Sequence, residues 1–314
     1  MTKTLPQTGG PLFLTDGGLE TTLIFHEGVE LPHFAAFLLL RTPEGRRQLE
    51  AYYERYLDIA ARDGTGFILE SPTWRASPDW AERLGIPQRE LEALNRASIE
   101  LMQSLRDRCA ANVAPIVVSG CLGPRGDGYD PGEVMTEAQA QAYHAGQVQS
   151  FAEAGADMVS AITMTNVPEA VGIARAAKAQ GVRCVISFTL ETDGKLPTGQ
   201  GLGEAVEAVD AATGAWPAYY MINCAHPSHF EGTLTEGGAW LSRIGGVRAN
   251  ASKRSHQELN DSPDLDDGDP EELGREHAEL LARHPQIRVF GGCCGTDDRH
   301  VACISRACRG LVAA

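Results

Sequence analysis

Short apolar runs alternate with amphipathic stretches along the chain. The runs at residues 12–16, 66–70, 115–119, 157–163, 183–189, 218–223, 246–250 and 287–291 are mostly continuous rather than alternating. That is the pattern of parallel strands covered on both faces. The stretches between them read as helices. Leu49, Tyr52, Tyr53, Tyr56, Leu57 and Ala60 repeat at the spacing of one buried helix face. Thr136 with Gln139 forms a capping box. Asp269-Pro270-Glu271-Glu272 combines a capping carboxylate, a proline in the first turn and acids at the positive end of the helix dipole.

Strand–helix units with short connections, in somewhat more than the ~250 residues typical of the fold, predict an α/β chain built as a (β/α)8 TIM barrel. A single domain is expected over residues 1–314, with its core from about 12 to 310. A doubly wound open sheet is the alternative, but no strand–GxGxxG–helix unit supports it.

The formal net charge of −15 argues against nucleic acid or an anionic membrane surface as a partner. The opening MTKTLPQTGG lacks the apolar core of a signal peptide, and the apolar run at 33–40 is too short to span a bilayer. The expectation is a cytoplasmic protein, in which eight cysteines read as core residues, metal ligands or reactive thiols rather than disulfides.

Two motifs concentrate the chemistry. Gly291-Gly292-Cys293-Cys294-Gly295-Thr296 follows the last strand, and Asn223-Cys224-Ala225-His226-Pro227 ends the sixth. In a barrel both lie on the C-terminal rim, where active sites are built. Adjacent cysteines in a strand point to opposite faces, so the flanking glycines are expected to let the backbone leave β geometry and turn both sulfurs one way. Three thiolates meeting there would leave one tetrahedral position open on a metal, as catalytic zinc sites do. On the residues alone, buried small hydrophobes at strand ends remain the competing reading.

Together with Asp16-Gly17-Gly18-Leu19-Glu20-Thr21 and the Gly123-Pro124 turn, these motifs resemble the homocysteine S-methyltransferase family over about residues 12–310. That family includes betaine–homocysteine and S-methylmethionine-dependent methyltransferases. The resemblance implies a Zn2+ cofactor on Cys224, Cys293 and Cys294, and Asp16, Gly17 and Gly18 beside homocysteine. The implied partners are a small thiol acceptor and an onium methyl donor. Onium cations suit aromatic faces, so Trp74 is the first donor candidate and Tyr129 the second. In the resembled family a glutamate late in the fourth strand grips the substrate amino group; here Ile162 stands in its place. Asp16, helped by Glu191 on the rim, is expected to substitute. Cys121 could border the pocket, while His226 is expected to bind solvent or backbone. Two other readings stand beside homocysteine methylation: the same chemistry on another small thiol or selenol, and a non-catalytic zinc- or thiol-binding barrel.

Overall fold

The apolar runs pair in parallel and in chain order. In the computed structural model, the described residues, 4–311, form a closed eight-stranded barrel: β1 (Phe13–Leu14), β2 (Gly66–Glu70), β3 (Ile116–Leu122), β4 (Met158–Met164), β5 (Arg183–Thr189), β6 (Tyr220–Asn223), β7 (Ile244–Ala249) and β8 (Val289–Gly292). The expected (β/α)8 architecture is observed. β1 is shorter than its apolar run: Thr15 still donates to Phe290 O, but Gly18 N turns away to bond Thr296 O at 3.0 Å.

One main helix follows each strand: α1 (Pro43–Asp63), α2 (Gln88–Cys109), α3 (Glu137–Glu153), α4 (Val167–Ala179), α5 (Leu202–Thr213), α6 (Pro227–Glu236), α7 (Pro270–Arg283) and α8 (Asp298–Cys308). The sequence-predicted helix signals are realised. Leu49, Tyr52, Tyr53, Tyr56, Leu57 and Ala60 are buried on α1, Thr136 and Gln139 form their capping box on α3, and Asp269 accepts from the Glu271 and Glu272 amides of α7. Among the described residues no helix is long and apolar enough to cross a membrane.

Strand alternation divides the barrel interior into two halves. Its lower half is an apolar plug that includes Phe13, Ile68, Val117, Met158, Val185 and Val289. Two residues further along, on the same faces, the chain places Glu70, Ser119, Ser160 and Ser187, with Asn223 two beyond Met221; all five are buried. The interior therefore turns polar beneath the C-terminal mouth.

On the outer face, Gly120 lies directly under Phe151 of α3, and a Cβ there would overlap the ring. Gly120→Ala is expected to destabilise the barrel by about 1–3 kcal/mol through overpacking. Phe151→Leu in the same chain should recover part of the loss in denaturant unfolding. Equal stability of Gly120→Ala and the wild type would contradict this packing.

Candidate active site

The cysteine turn at the end of β8 is built by close packing. A Cβ on Gly291 would strike Thr15, and one on Gly292 would strike Thr296. Of the flanking glycines expected to redirect the backbone, Gly291 and Gly292 provide room without positive φ, and the redirection falls to Gly295. The left-handed residue of the turn is Gly295, at φ +79°. Cys293 N donates to Ala249 O at 2.8 Å, Ala251 N donates to Cys294 O at 3.1 Å, and Thr296 Oγ1 donates to Cys293 O at 2.7 Å. Gly18 packs so tightly on the Cys293 carbonyl that no side chain fits there.

Cys224 comes from the other side of the mouth. It adopts φ +51°, a left-handed conformation costly for a residue with a Cβ. Its carbonyl oxygen lies 2.5 Å from His256 Nε2, and its amide donates to Arg248 O at 3.2 Å. The result is that the sulfurs of Cys224, Cys293 and Cys294 all lie within 4.8 Å of one another. Cys224 and Cys293 are joined as a disulfide, with Cα atoms 5.4 Å apart, and Cys294 is free. This pairing departs from the expectation of reduced cysteines. Sulfurs close enough to share one ion are also close enough to bond each other. The donor set fits zinc, whose Zn–S bonds of ~2.3 Å place tetrahedral sulfurs about 3.8 Å apart.

Each of the three sulfurs faces one polar side chain. Thr163 Oγ1 lies 3.8 Å from Cys224 Sγ, Asn223 Nδ2 donates to Cys293 Sγ at 3.9 Å, and Tyr129 Oη lies 3.3 Å from Cys294 Sγ. Asn223 is itself fixed: its Oδ1 accepts from Thr163 N at 2.9 Å and from Ser187 Oγ at 2.6 Å. Thr163, at φ +66° beside a bulge in β4, is a second left-handed residue. Tyr129 stacks on His256 with ring centres 3.9 Å apart. Such groups orient metal ligands and tune their basicity.

Beneath the turn, Arg248 of β7 ties three strand ends together. Its guanidinium donates to Asp16 Oδ1 at 2.8 Å, Gly17 O at 3.2 Å and Gly292 O at 3.1 Å. Tyr52 Oη donates to Asp16 Oδ2 at 3.1 Å. Burial disfavours the Arg248 charge, but the Asp16 and Glu70 carboxylates outweigh it and hold the pKa above the ordinary arginine range.

The remaining candidates separate. Trp74 is half-buried on the rim; its indole donates to Ile162 O at 3.1 Å, and the Arg75 guanidinium covers its ring at 4.0 Å. Glu191 Oε1 lies 3.3 Å from His256 Nδ1. Ile162 is buried at 6% exposure on the inner face of β4. Cys121 is buried, and burial pushes its thiol well above the usual range. His226 caps α6, its Nδ1 accepting from Ser228 N at 3.2 Å, so a backbone partner is found where one was expected. Sequence reading missed Arg248, His256 and the sulfur-facing role of Asn223. A basic residue closing an apolar strand was the available signal for the first; nothing local marked His256.

A family model described as Homocysteine S-methyltransferase matches residues 13–308. Homocysteine S-methyltransferase 1 of Arabidopsis thaliana is 24% identical, with 95% of this chain and 93% of that protein covered. Selenocysteine Se-methyltransferase of Brassica oleracea is 26% identical, with 98% and 91% covered. Among solved structures, the homocysteine methyltransferase MmuM from Escherichia coli superimposes at 23% identity in an oxidized form (TM-score 0.73, 94% of this chain and 95% of that one). It also superimposes in a metallated form (TM-score 0.67, 96% and 97%).

Arg248→Met leaves the Asp16 carboxylate buried without its cation. The expected cost is about 3–5 kcal/mol of stability, with part of it recovered in the double variant Asp16→Leu/Arg248→Met, where neither charge is stranded. Denaturant midpoints of the two variants check this. A single variant as stable as the wild type would show that the pair does not hold the mouth together.

Proposed function

Because the chain belongs to the homocysteine S-methyltransferase family, we propose that it moves a methyl group from a small onium donor to the sulfur of homocysteine, giving methionine, with zinc held by Cys224, Cys293 and Cys294. The observation that carries this reading is the convergence of those three sulfurs within 4.8 Å at the barrel mouth. A structural zinc site closes with a fourth protein ligand; the cluster among the described residues contributes three cysteines.

Zinc held by these cysteines would favour the ionised form of an acceptor thiol at neutral pH, giving roughly 30-fold more thiolate than a free thiol of pKa ~8.5 provides. That is about 2 kcal/mol, offset in part because nucleophilicity falls with basicity. The larger contribution must come from position. Holding the acceptor sulfur in line with the donor methyl is worth ~7–11 kcal/mol in favourable cases. The chain is suited to that work: Tyr129, Asn223 and Thr163 face the three cysteines, and Arg248 fixes the Asp16–Gly17 segment against the cysteine turn. Asp16, Gly17 and Gly18 are proposed as the wall of the acceptor's seat, with Glu191 and Trp74 on its rim. Tyr129 is the second aromatic surface for the donor cation. A protein with this chemistry is expected in the cytoplasm.

Two other acceptors have separate supports: the relative named for selenocysteine points to a selenol amino acid, while Ile162, which cannot receive an ammonium group, points to a thiol without an amine. The same site would then methylate another small thiol or selenol.

The test is a donor-by-acceptor screen on reduced, zinc-replete protein, using S-methylmethionine, S-adenosylmethionine and betaine against homocysteine and selenocysteine. Methionine formed from homocysteine is the expected result. Zinc bound at one per chain with no acceptor methylated would overturn the reading in favour of a non-catalytic zinc barrel.

Cys224→Ala, Cys293→Ala and Cys294→Ala are each expected to lose zinc and activity while keeping the circular dichroism of the folded barrel. A set of three ligands has no redundancy, and the apolar plug does not include them. Full zinc retention in any one variant removes that residue from the ligand set.

A further inference from the structure

An amino-acid acceptor brings an ammonium group into the mouth, and that group needs a carboxylate, since burying it unpaired costs several kcal/mol. The three acids expected or found at the rim are unequally available. Both Asp16 oxygens are engaged, one by Arg248 and one by Tyr52. Glu191 is committed to His256 through Oε1. Glu20, after the Asp16-Gly17-Gly18 segment, is half-buried, and burial pushes its carboxyl up to about 7.

Glu70 differs from all of them. It closes β2 on the inner face, two residues past Ile68 of the apolar plug, and is 3% exposed. Its Oε2 is buried without a hydrogen-bond partner. Buried polar atoms in native proteins are nearly always satisfied by protein, ordered water or ligand, so this carboxylate oxygen is free to accept from a ligand's donor group. Around it the interior is polar: the Ser119 and Ser160 hydroxyls, 2.8 Å apart, act on the carboxylate as hydrogen-bond partners, and Arg248 lies near enough to act on it electrostatically, so it is Oε2 alone that stands open. Arg248 does not satisfy Oε2, since its bonds go to Asp16, Gly17 and Gly292. Two further buried acceptors of the strand ends, Thr189 Oγ1 and Asn250 Oδ1, also have no partner.

The inner column of β4 reads Met158, Ser160, Ile162, and that of β2 reads Gly66, Ile68, Glu70. The strand expected to carry the acid has an aliphatic residue, and an acid stands two strands away. We propose that Glu70, on the inner face of β2, is the residue that receives the ammonium group of the amino-acid acceptor. This rests on the reading of the site as one for an amino-acid thiol. It makes Glu70 a specificity residue: it selects thiols that carry an amine, and it stands apart from the cysteines that hold the metal. Burial raises the Glu70 carboxyl above its usual range, and an arriving ammonium group would supply the counter-charge that favours its ionised form.

The experiment compares homocysteine with 4-mercaptobutanoate, the same carbon chain without the amine, in wild type and in Glu70→Gln, Glu20→Gln and Glu191→Gln. Glu70→Gln is expected to lose roughly 10- to 100-fold in kcat/KM for homocysteine, mainly through KM, with little change for 4-mercaptobutanoate. The Glu20 variant should keep the wild-type ratio. Ile162→Glu placed in the Glu70→Gln chain should restore preference for homocysteine, which a merely structural role for Glu70 would not produce. Calorimetric binding of the two thiols reads the same ratio without turnover. Glu70→Asp, which keeps the charge but shortens its reach, gives a second folded variant. A folded Glu70→Gln enzyme that still prefers homocysteine by the wild-type ratio overturns the assignment, as does a loss of preference in Glu191→Gln instead. Wild type that binds both thiols equally refutes the amino-acid acceptor itself, and Glu70 with it. Wild type that binds homocysteine more tightly but methylates neither thiol refutes the reaction, while the binding ratio of the variants still decides Glu70.

Discussion

The geometry of the mouth depends on one buried ion pair. Arg248 and Asp16 approach to 2.8 Å with both side chains nearly excluded from solvent. Through the same guanidinium, β7 is bonded to Gly17 after β1 and to Gly292 at the end of β8. Cys293 is the next residue. Buried pairs of this kind contribute little net stability compared with a well-packed apolar alternative. What this one provides is position, because it locks the three segments from which the cysteine turn is suspended. Ring closure supplies the rest, since β1 and β8 are hydrogen-bonded neighbours.

Backbone strain is concentrated where the sulfurs are aimed. Thr163 and Cys224 are both left-handed, at φ +66° and +51°. Each is restrained by side chains from other elements: Asn223 accepts from the Thr163 amide, and His256 contacts the Cys224 carbonyl. Such conformations persist only where the surroundings over-determine them. The Asn223 side chain joins the two, bonding Thr163 on β4 while reaching Cys293 across the mouth. A change at Asn223 would therefore disturb two of the three sulfurs together.

Much of this was legible in the sequence because parallel-strand runs and helix caps are local signals. Residues 66–70 and 183–189 coincide with their strands, and the Thr136 and Asp269 caps are formed as read. The cysteine convergence was legible from motif and rim placement together. What escaped were contacts across the barrel. Arg248 and Asp16 are separated by 232 positions, and His256 reaches Glu191 from 65 positions away. No local pattern announces such pairs. Of the glycines flanking the cysteines, Gly295 turns the backbone as expected, while Gly291 and Gly292 serve by providing room, a property of neighbours distant in the chain. Glu70 was visible only as the polar end of an apolar strand; that it points inward depends on strand parity, which closure of the barrel determines.

The proposed function depends most on three cysteines holding a zinc ion with one position left for the acceptor's sulfur. X-ray absorption at the zinc edge, on reduced protein loaded with one ion per chain, tests it without reliance on any donor. Three sulfur scatterers are expected in the protein alone and a fourth when homocysteine is added. A sulfur count that homocysteine leaves unchanged would contradict it.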